Sequence, residues 1–284
     1  MATAGQNDTK AGGAVLDAPC CSVEELQRAL VDAWPPLERA HLGDWIVRAG
    51  RGFTARANSC VTAGSPGLPV ADAVAWVEAW YAARSLPANF CLAAPPGRPD
   101  THAELAALLV PERGYAAGPP TRCLTASSLS VASWSAGGPT TSPGARSADS
   151  DLPPVHLSDT LTEEWLAAFG AYRPIDEVAA RAILTGSPAQ VFASVSGPEG
   201  LVAIGRLGLA HGWGGIASMW VDPAHRGRGL GRTVLTKLSE AAYQRGSHDL
   251  HLQVDAANTT ALALYGRLGF TLHHTYVNLV QDPS

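Results

Sequence analysis

Residues Ile216 to Gly231 read IASMWVDPAHRGRGLG: a short apolar run, a Val-Asp-Pro exit, then alternating arginines and glycines. From Leu230 the apolar residues Val234, Leu235, Leu238, Ala241 and Ala242 recur at helical spacing. The Gly/Arg segment therefore falls where a strand hands over to a helix N-terminus. Such a junction suits an anion. The first backbone N–H groups of a helix lack internal partners, the dipole favours negative charge, and glycine lets a phosphate approach the main chain without a Cβ in the way. Arg226, Arg228 and Arg232 add positive charge around it.

Three plainer readings compete. The glycines could form an ordinary turn with solvated arginines. The stretch could be a dinucleotide fingerprint, but Gly227, Gly229 and Gly231 alternate and Arg232 stands where that pattern needs its third glycine. An RGRG run could touch RNA, yet it occurs once in a chain of formal charge −5.

Arg226-Gly-Arg-Gly-Leu-Gly231 resembles the R-x-x-G-x-G/A acetyl-CoA motif of the GCN5-related N-acetyltransferase (GNAT) superfamily. Downstream, Asn258-Thr-Thr-Ala-Leu-Ala-Leu-Tyr-Gly-Arg-Leu-Gly-Phe270 is similar to that superfamily's N-x-x-A-x-x-L-Y-x-x-L-G-F segment. The two occur in the expected order and spacing, and the resemblance covers roughly the last 130 residues.

A chain of 284 residues suits one large or two ordinary domains. At 46% hydrophobic and 16% charged residues it is globular in composition, and its acidic balance argues against a nucleic-acid partner. Cys20, Cys21, Cys60, Cys91 and Cys123 show no metal-ligand spacing, so no metal site is expected and the thiols read as free, mostly buried small hydrophobes. No signal-like N-terminus and no membrane-length apolar run stand out, so the expected setting is soluble and cytoplasmic, with no membrane partner.

Residues 1–21 read as a flexible arm. Ser22 and Glu25 form a capping box for a helix over Val23–Val31. Trp45–Val47 and Gly52–Val61 read as strands, Val70–Arg84 as a helix and Phe90–Ala93 as a strand. Thr101 with Glu104 suggests a second capping box opening a helix to about Val110, and Arg122–Ala126 looks extended. Residues 127–154, rich in Ser, Gly and Pro, read as a linker between a first domain at 22–126 and a second at 155–284. The second domain predicts a strand near Val155–Leu157, helices over Asp159–Phe169 and Ile175–Leu184, and strands over Val191–Val195 and Leu201–Leu209. The central strand follows from Ile216, then the long helix, an alternating strand over Leu250–Val254, a short helix after Asn258, and a last strand over Phe270–Val280.

The halves read as one unit written twice. A shift of 160 residues aligns Val61 with Val221, Gly67 with Gly227, Val74 with Val234 and Phe90 with Leu250. At that shift Pro66 replaces Arg226 and Pro69 replaces Gly229, which removes a backbone donor from any phosphate cradle. Counting back from Gly114, Ala103 and Val110 stand where the second half has Asn258 and Tyr265. The first half is thus a poor cofactor site, and its Trp45, Arg48 and Arg56-Ala-Asn-Ser59 resemble the degenerate front domain of two-domain bacterial GNAT proteins. It is expected to shape the substrate cleft or stabilise the fold.

The resemblance implies an α/β fold of tandem GNAT-like domains, each a twisted, mostly antiparallel sheet flanked by helices and splayed at its central strand. It implies acetyl-CoA as cofactor, with the pantetheine arm along Met219, Trp220 and Val221, and the pyrophosphate on Gly227, Arg228, Gly229, Leu230, Gly231 and Arg232. Asn258 would contact the cofactor arm, and asparagine is also a preferred N-cap. Tyr265 would be the catalytic acid for the departing sulfur, although the bare spacing equally allows a packed core ring.

Many relatives carry a glutamate at the position of Gln253, and glutamine accepts no proton usefully. Asp255, His211, His251, His273 and His274 are the other candidate bases. Glu163, Glu164, Asp176 and Glu177 would suit a cationic acceptor, or simply face water. The expected activity is N-acetylation of a primary amine on a small molecule, peptide or protein N-terminus. An acyl-CoA-binding pseudoenzyme or regulator, or a nucleotide-binding module using the RGRGLG loop, are the alternatives, and the oligomeric state stays open.

Overall fold

The computed structural model describes residues 21–136 and 152–282. The arm expected at 1–21 and most of the expected linker lie outside them. The first half runs α1 (Val23–Ala33), β1 (Glu38–Leu42), β2 (Trp45–Ala49), β3 (Cys60–Val61), α2 (Val70–Ala82), β4 (Asn89–Ala94), α3 (Ala103–Ala107), β5 (Tyr115–Ala117), β6 (Thr121–Ser127) and α4 (Ser128–Ala132). The second runs β7 (His156–Ser158), α5 (Glu163–Gly170), α6 (Glu177–Thr185), β8 (Ala189–Gly197), β9 (Gly200–Ala210), β10 (Trp213–Val221), α7 (Leu230–Gln244), β11 (Asp249–Asp255), α8 (Thr259–Arg267) and β12 (Thr271–Gln281).

Where caps were legible, helices begin as expected. Ser22 caps α1 with its hydroxyl while Glu25 reaches back to the Ser22 N–H. Elsewhere the expectations need correcting. Gly52–Val61 is extended only at its last two residues. Asn58 ties the rest into a loop: its Oδ1 accepts from the Gly50 and Gly52 N–H groups, and its Nδ2 donates to the Phe53 and Thr54 carbonyls. Thr101 does not cap α3. Its hydroxyl donates to the Arg98 carbonyl, His102 stands at the N-cap, and after Ala107 a π-helical turn carries Pro111. Of the stretch expected to be linker, Ser128–Ala132 is helical.

The twelve strands of the described residues join one sheet. Its order is β1-β2-β3-β4-β12-β6-β11-β10-β9-β8-β7, with β5 also on β12. The halves exchange their last strands. β6 pairs with β11 of the second half, and β12 inserts beside β4 and β5 of the first. Leu279 accordingly sits in the first half's core with Trp45, Phe90 and Tyr115, and Leu124 sits in the second half's core with Leu250 and Phe270. A third cluster joins them, packing Trp34, Phe53 and Ala57 against Trp165, Phe169 and Ile183. The sheet is mixed, and most of its neighbours are antiparallel, as expected of the fold class. The two parallel pairs among the described strands are β3 with β4 and β10 with β11; their registers differ, Phe90 facing Cys60 but Leu250 facing Gly214 rather than Trp220, the equivalent of Cys60 at the 160-residue shift.

That repeat extends to backbone angles: φ is +74° at Gly67 and +75° at Gly227, and α2 and α7 start at Val70 and Leu230. It breaks at the helix N-cap. Pro69, with φ −53°, caps α2, whereas Gly229, with φ +91°, caps α7.

Candidate functional site

β10 and β11 pair in parallel only from Trp213 with Asp249 to Ile216 with Leu252. Beyond Ile216, β10 bulges between Ala217 and Trp220, with Ser218 at φ +55°, and follows β9 alone to Val221. Gln253 to Asp255 of β11 pair instead with β6. The sheet therefore splays, leaving a notch between Ala217–Val221 and Gln253–Asp255 where strand hydrogen bonds are unclaimed between neighbours.

The expected cofactor residues gather around this notch. Met219 packs toward α7, its Sδ lying 2.7 Å from where a Cβ on Gly205 would be. Trp220 stacks on Tyr172, ring centroids 5.8 Å apart and planes 9° from parallel. Arg226 Nε donates to the Val221 carbonyl at 3.1 Å, and Arg228 Nη2 to the Ala224 carbonyl at 3.3 Å, tying the loop to the strand exit. Gly229, the N-cap of α7, has no side chain to cap it, and no described residue supplies a side-chain cap. A Cβ on Gly227 would meet nothing within 4 Å, so backbone is open to a close ligand there. Leu230 is buried beneath the first turn, Gly231 lies against Val221 and Leu264, and the guanidinium of Arg232 lies alongside Gly229. An uncapped N-terminus with a left-handed glycine, facing a splayed sheet, fits a pyrophosphate with an extended arm.

Asn258 is the N-cap of α8, its Oδ1 accepting from the Ala261 N–H at 3.1 Å. The side chain's Nδ2 remains for a ligand. Tyr265 is 8% exposed, packed against Phe270 in the cluster that holds Ile216, Leu252 and Val254. Burial pushes its pKa up to about 12, so the phenol keeps its proton at physiological pH.

Most of the base candidates have partners of their own. Gln253 accepts a hydrogen bond from Tyr276. Asp255 Oδ1 accepts from the Ala257 N–H. His211 pairs with Asp32 at 2.6 Å. His273 and His274 face each other at 2.9 Å, and His274 also meets Gln27. His251 is buried, and burial followed by the nearby Arg56 holds its pKa down at about 3. The acidic residues of α5 and α6 are partly consumed: Glu163 and Glu177 pair with Arg181, and Asp176 caps α6 and pairs with Arg51.

Three features escaped sequence reading: Tyr172 against Trp220, Trp34 beneath Arg56, and the fully buried Arg206. No local pattern marks them, because each contact joins distant segments. Among the described residues no group of side chains could hold a metal, and no helix is long and apolar enough to cross a membrane.

The family model described as "Probable histone acetyltransferase Rv0428c C-terminal" matches residues 21–279. The chain belongs to that family. The match spans both halves of the chain. Among curated relatives, the uncharacterized N-acetyltransferase YobR of Bacillus subtilis is 27% identical over 255 residues, 88% of this chain and 94% of that one. A GCN5-related N-acetyltransferase from Kribbella flavida superposes with TM-score 0.60 at 19% identity, covering 92% and 96% of the two chains. A tandem GNAT protein from the clavulanic acid biosynthesis pathway superposes with TM-score 0.56 at 14% identity, covering 94% and 90%. The protein is thus an N-acetyltransferase of the GNAT superfamily by family and fold.

Proposed function

We propose that the protein moves an acetyl group from acetyl-CoA to a primary amine by direct attack, with the cofactor held by the second half. The observation that carries this reading is the uncapped Gly229 N-terminus of α7 set against the splay of β10 and β11. Acetyl-CoA would supply the activated thioester carbonyl. The N–H groups of Gly227 to Gly231 would hold its pyrophosphate with Arg228 and Arg232, and Met219 to Val221 would offer backbone hydrogen bonds to the arm. A backbone N–H at the bulge would face the developing oxyanion. Asn258 Nδ2 would steady the arm.

Tyr265 acts as the acid in this reading. Its Oη proton is held to about pH 12, so the group is a donor throughout the working range. The ring's packing is shared with Phe, so Tyr265→Phe removes the proton and leaves the core. Thiol release from acetyl-CoA with a panel of amines tests the proposal. Tyr265→Phe should lower kcat by about 10²-fold with acetyl-CoA affinity unchanged. Full activity in that variant would sink the assignment. Gln253, a glutamine where many relatives have glutamate, favours a second reading as an acyl-CoA-binding regulator. Tight acetyl-CoA binding with no thiol release toward any amine would select it.

A further inference from the structure

We infer that the acceptor amine carries a carboxylate, received by Arg56 on the face of the sheet opposite α7. The inference rests on the acetyltransferase reading and names the acceptor class for that same site.

Along β11, Leu250, Leu252 and Val254 pack under α7. Side chains alternate across a strand, so His251 and Gln253 point to the opposite face. Two small cavities adjoin there. Trp34, Arg56, Ala217 and Gln253 line the first; Arg56 and Gln253 again, with Arg48, Ser59 and Tyr276, line the second. Ala217 is the residue at which β10 starts to bulge. The cavities therefore run from the splay into the seam between the two halves, the side from which an acceptor can reach a thioester held from the α7 side.

The charge of this seam is one-sided. Arg48 donates to the Ser59 carbonyl and hydroxyl at 3.0 and 2.6 Å. Arg206 donates only to neutral oxygens, those of Leu184, Ala33 and Ser187. Arg56 lies over the Trp34 ring at 4.5 Å and makes no hydrogen bond or ion pair to a described residue. The groups that interact with its charge include Tyr276, Arg173, Tyr172, Arg48, Arg206 and His251, none of them a carboxylate. A half-buried guanidinium with no counterion among the described residues is costly, and a ligand anion lowers that cost.

On the same seam Asn278 Oδ1, Tyr172 Oη and His251 Nε2 are buried without a hydrogen-bond partner among the described residues. The guanidinium fork matches the two oxygens of a planar carboxylate. Amine and carboxylate on one small molecule, as in an amino acid or the end of a short peptide, fit this arrangement. Of the acids at α5 and α6, Glu163 and Glu177 are paired with Arg181 and Asp176 with Arg51.

The test follows thiol release from acetyl-CoA with glycine, β-alanine, 4-aminobutyrate and glutamate, each beside its carboxamide, with rates referred to free-amine concentration. At least one carboxylate should exceed its amide tenfold or more in kcat/KM. Arg56→Gln should raise KM for that carboxylate at least tenfold while leaving the amide within threefold, and Arg56→Lys should recover part of the loss. Gln253→Glu, which sets a fixed carboxylate in the same cavities, should likewise raise KM for the carboxylate alone. Calorimetric binding of the N-acetylated product to wild type and Arg56→Gln gives a readout without turnover, with the same tenfold difference expected. Amides equal to carboxylates, or equal losses for both in Arg56→Gln, would overturn the acceptor class while leaving the transferase reading intact. Absence of thiol release with every amine, with acetyl-CoA bound, would overturn both.

Discussion

Tyr276 donates its hydroxyl to Gln253 Oε1 at 2.8 Å, reaching from β12 to β11 across the intervening β6. The bond fixes the amide with its oxygen occupied. Burial also pushes the Tyr276 phenol well above its ordinary range, so neither partner takes up a proton near neutrality.

A proton acceptor of enzyme origin is thus missing at Gln253, and on the proposed reading the acceptor amine would shed its proton to water. The alkaline-rising limb of kcat/KM should then follow the acceptor's own amine pKa. Two acceptors whose amines differ by two pKa units should give limbs about two units apart. Limbs that coincide, near a carboxylate or imidazole value, would reveal a base on the enzyme.

His251 and His274 give the fold a pH dependence. Both are buried, and desolvation first, then Arg56 for His251 and His273 for His274, lowers each to about 3. An unfolded histidine titrates near 6.5. Between these values the unfolded chain binds more protons than the folded one. Stability is therefore constant above pH ~6.5 and falls as pH drops through the window, by up to about 1.4 kcal/mol per pH unit for each histidine. Chemical denaturation at pH 7.5, 6 and 5 should show a falling midpoint, in a range where carboxylates have barely begun to protonate. A flat midpoint would show that the imidazoles are solvated.

Leu279 belongs to the last strand yet is 3% exposed in the first half's core. Leu279→Ala should cost about 2–5 kcal/mol. Because the halves exchange strands, the loss should appear in one transition reported alike by far-UV and near-UV dichroism. Two separate transitions, with the second half's unmoved, would mean that the exchange does not couple them.

Legibility in the sequence followed locality. The RGRGLG loop, the α7 periodicity, the Ser22 capping box and the Asn258 to Phe270 segment each carry their meaning within about a dozen residues. β1 was missed because it is a charged edge strand, Glu38 to Leu42, with little of it buried. The strand exchange was invisible because β6 and β12 read as ordinary last strands whichever sheet they join. The arginine seam draws on α1, β2, the Asn58 loop and β11, segments that only the fold brings together. Arg48 and Arg56 could be noticed in the sequence, but not that Arg56 lacks a counterion.

Calorimetric titration of acetyl-CoA into wild type and Gly229→Ala, with NAD and ATP as controls, tests the cofactor site most directly. At φ +91° an alanine is strained by about 1–2 kcal/mol, which a folded chain of this size tolerates. The expected result is acetyl-CoA binding by wild type alone among the three ligands, weakened at least tenfold in a folded Gly229→Ala. Unchanged affinity in that variant, or no acetyl-CoA binding by the wild type, would contradict the assignment of the α7 N-terminus as the pyrophosphate site.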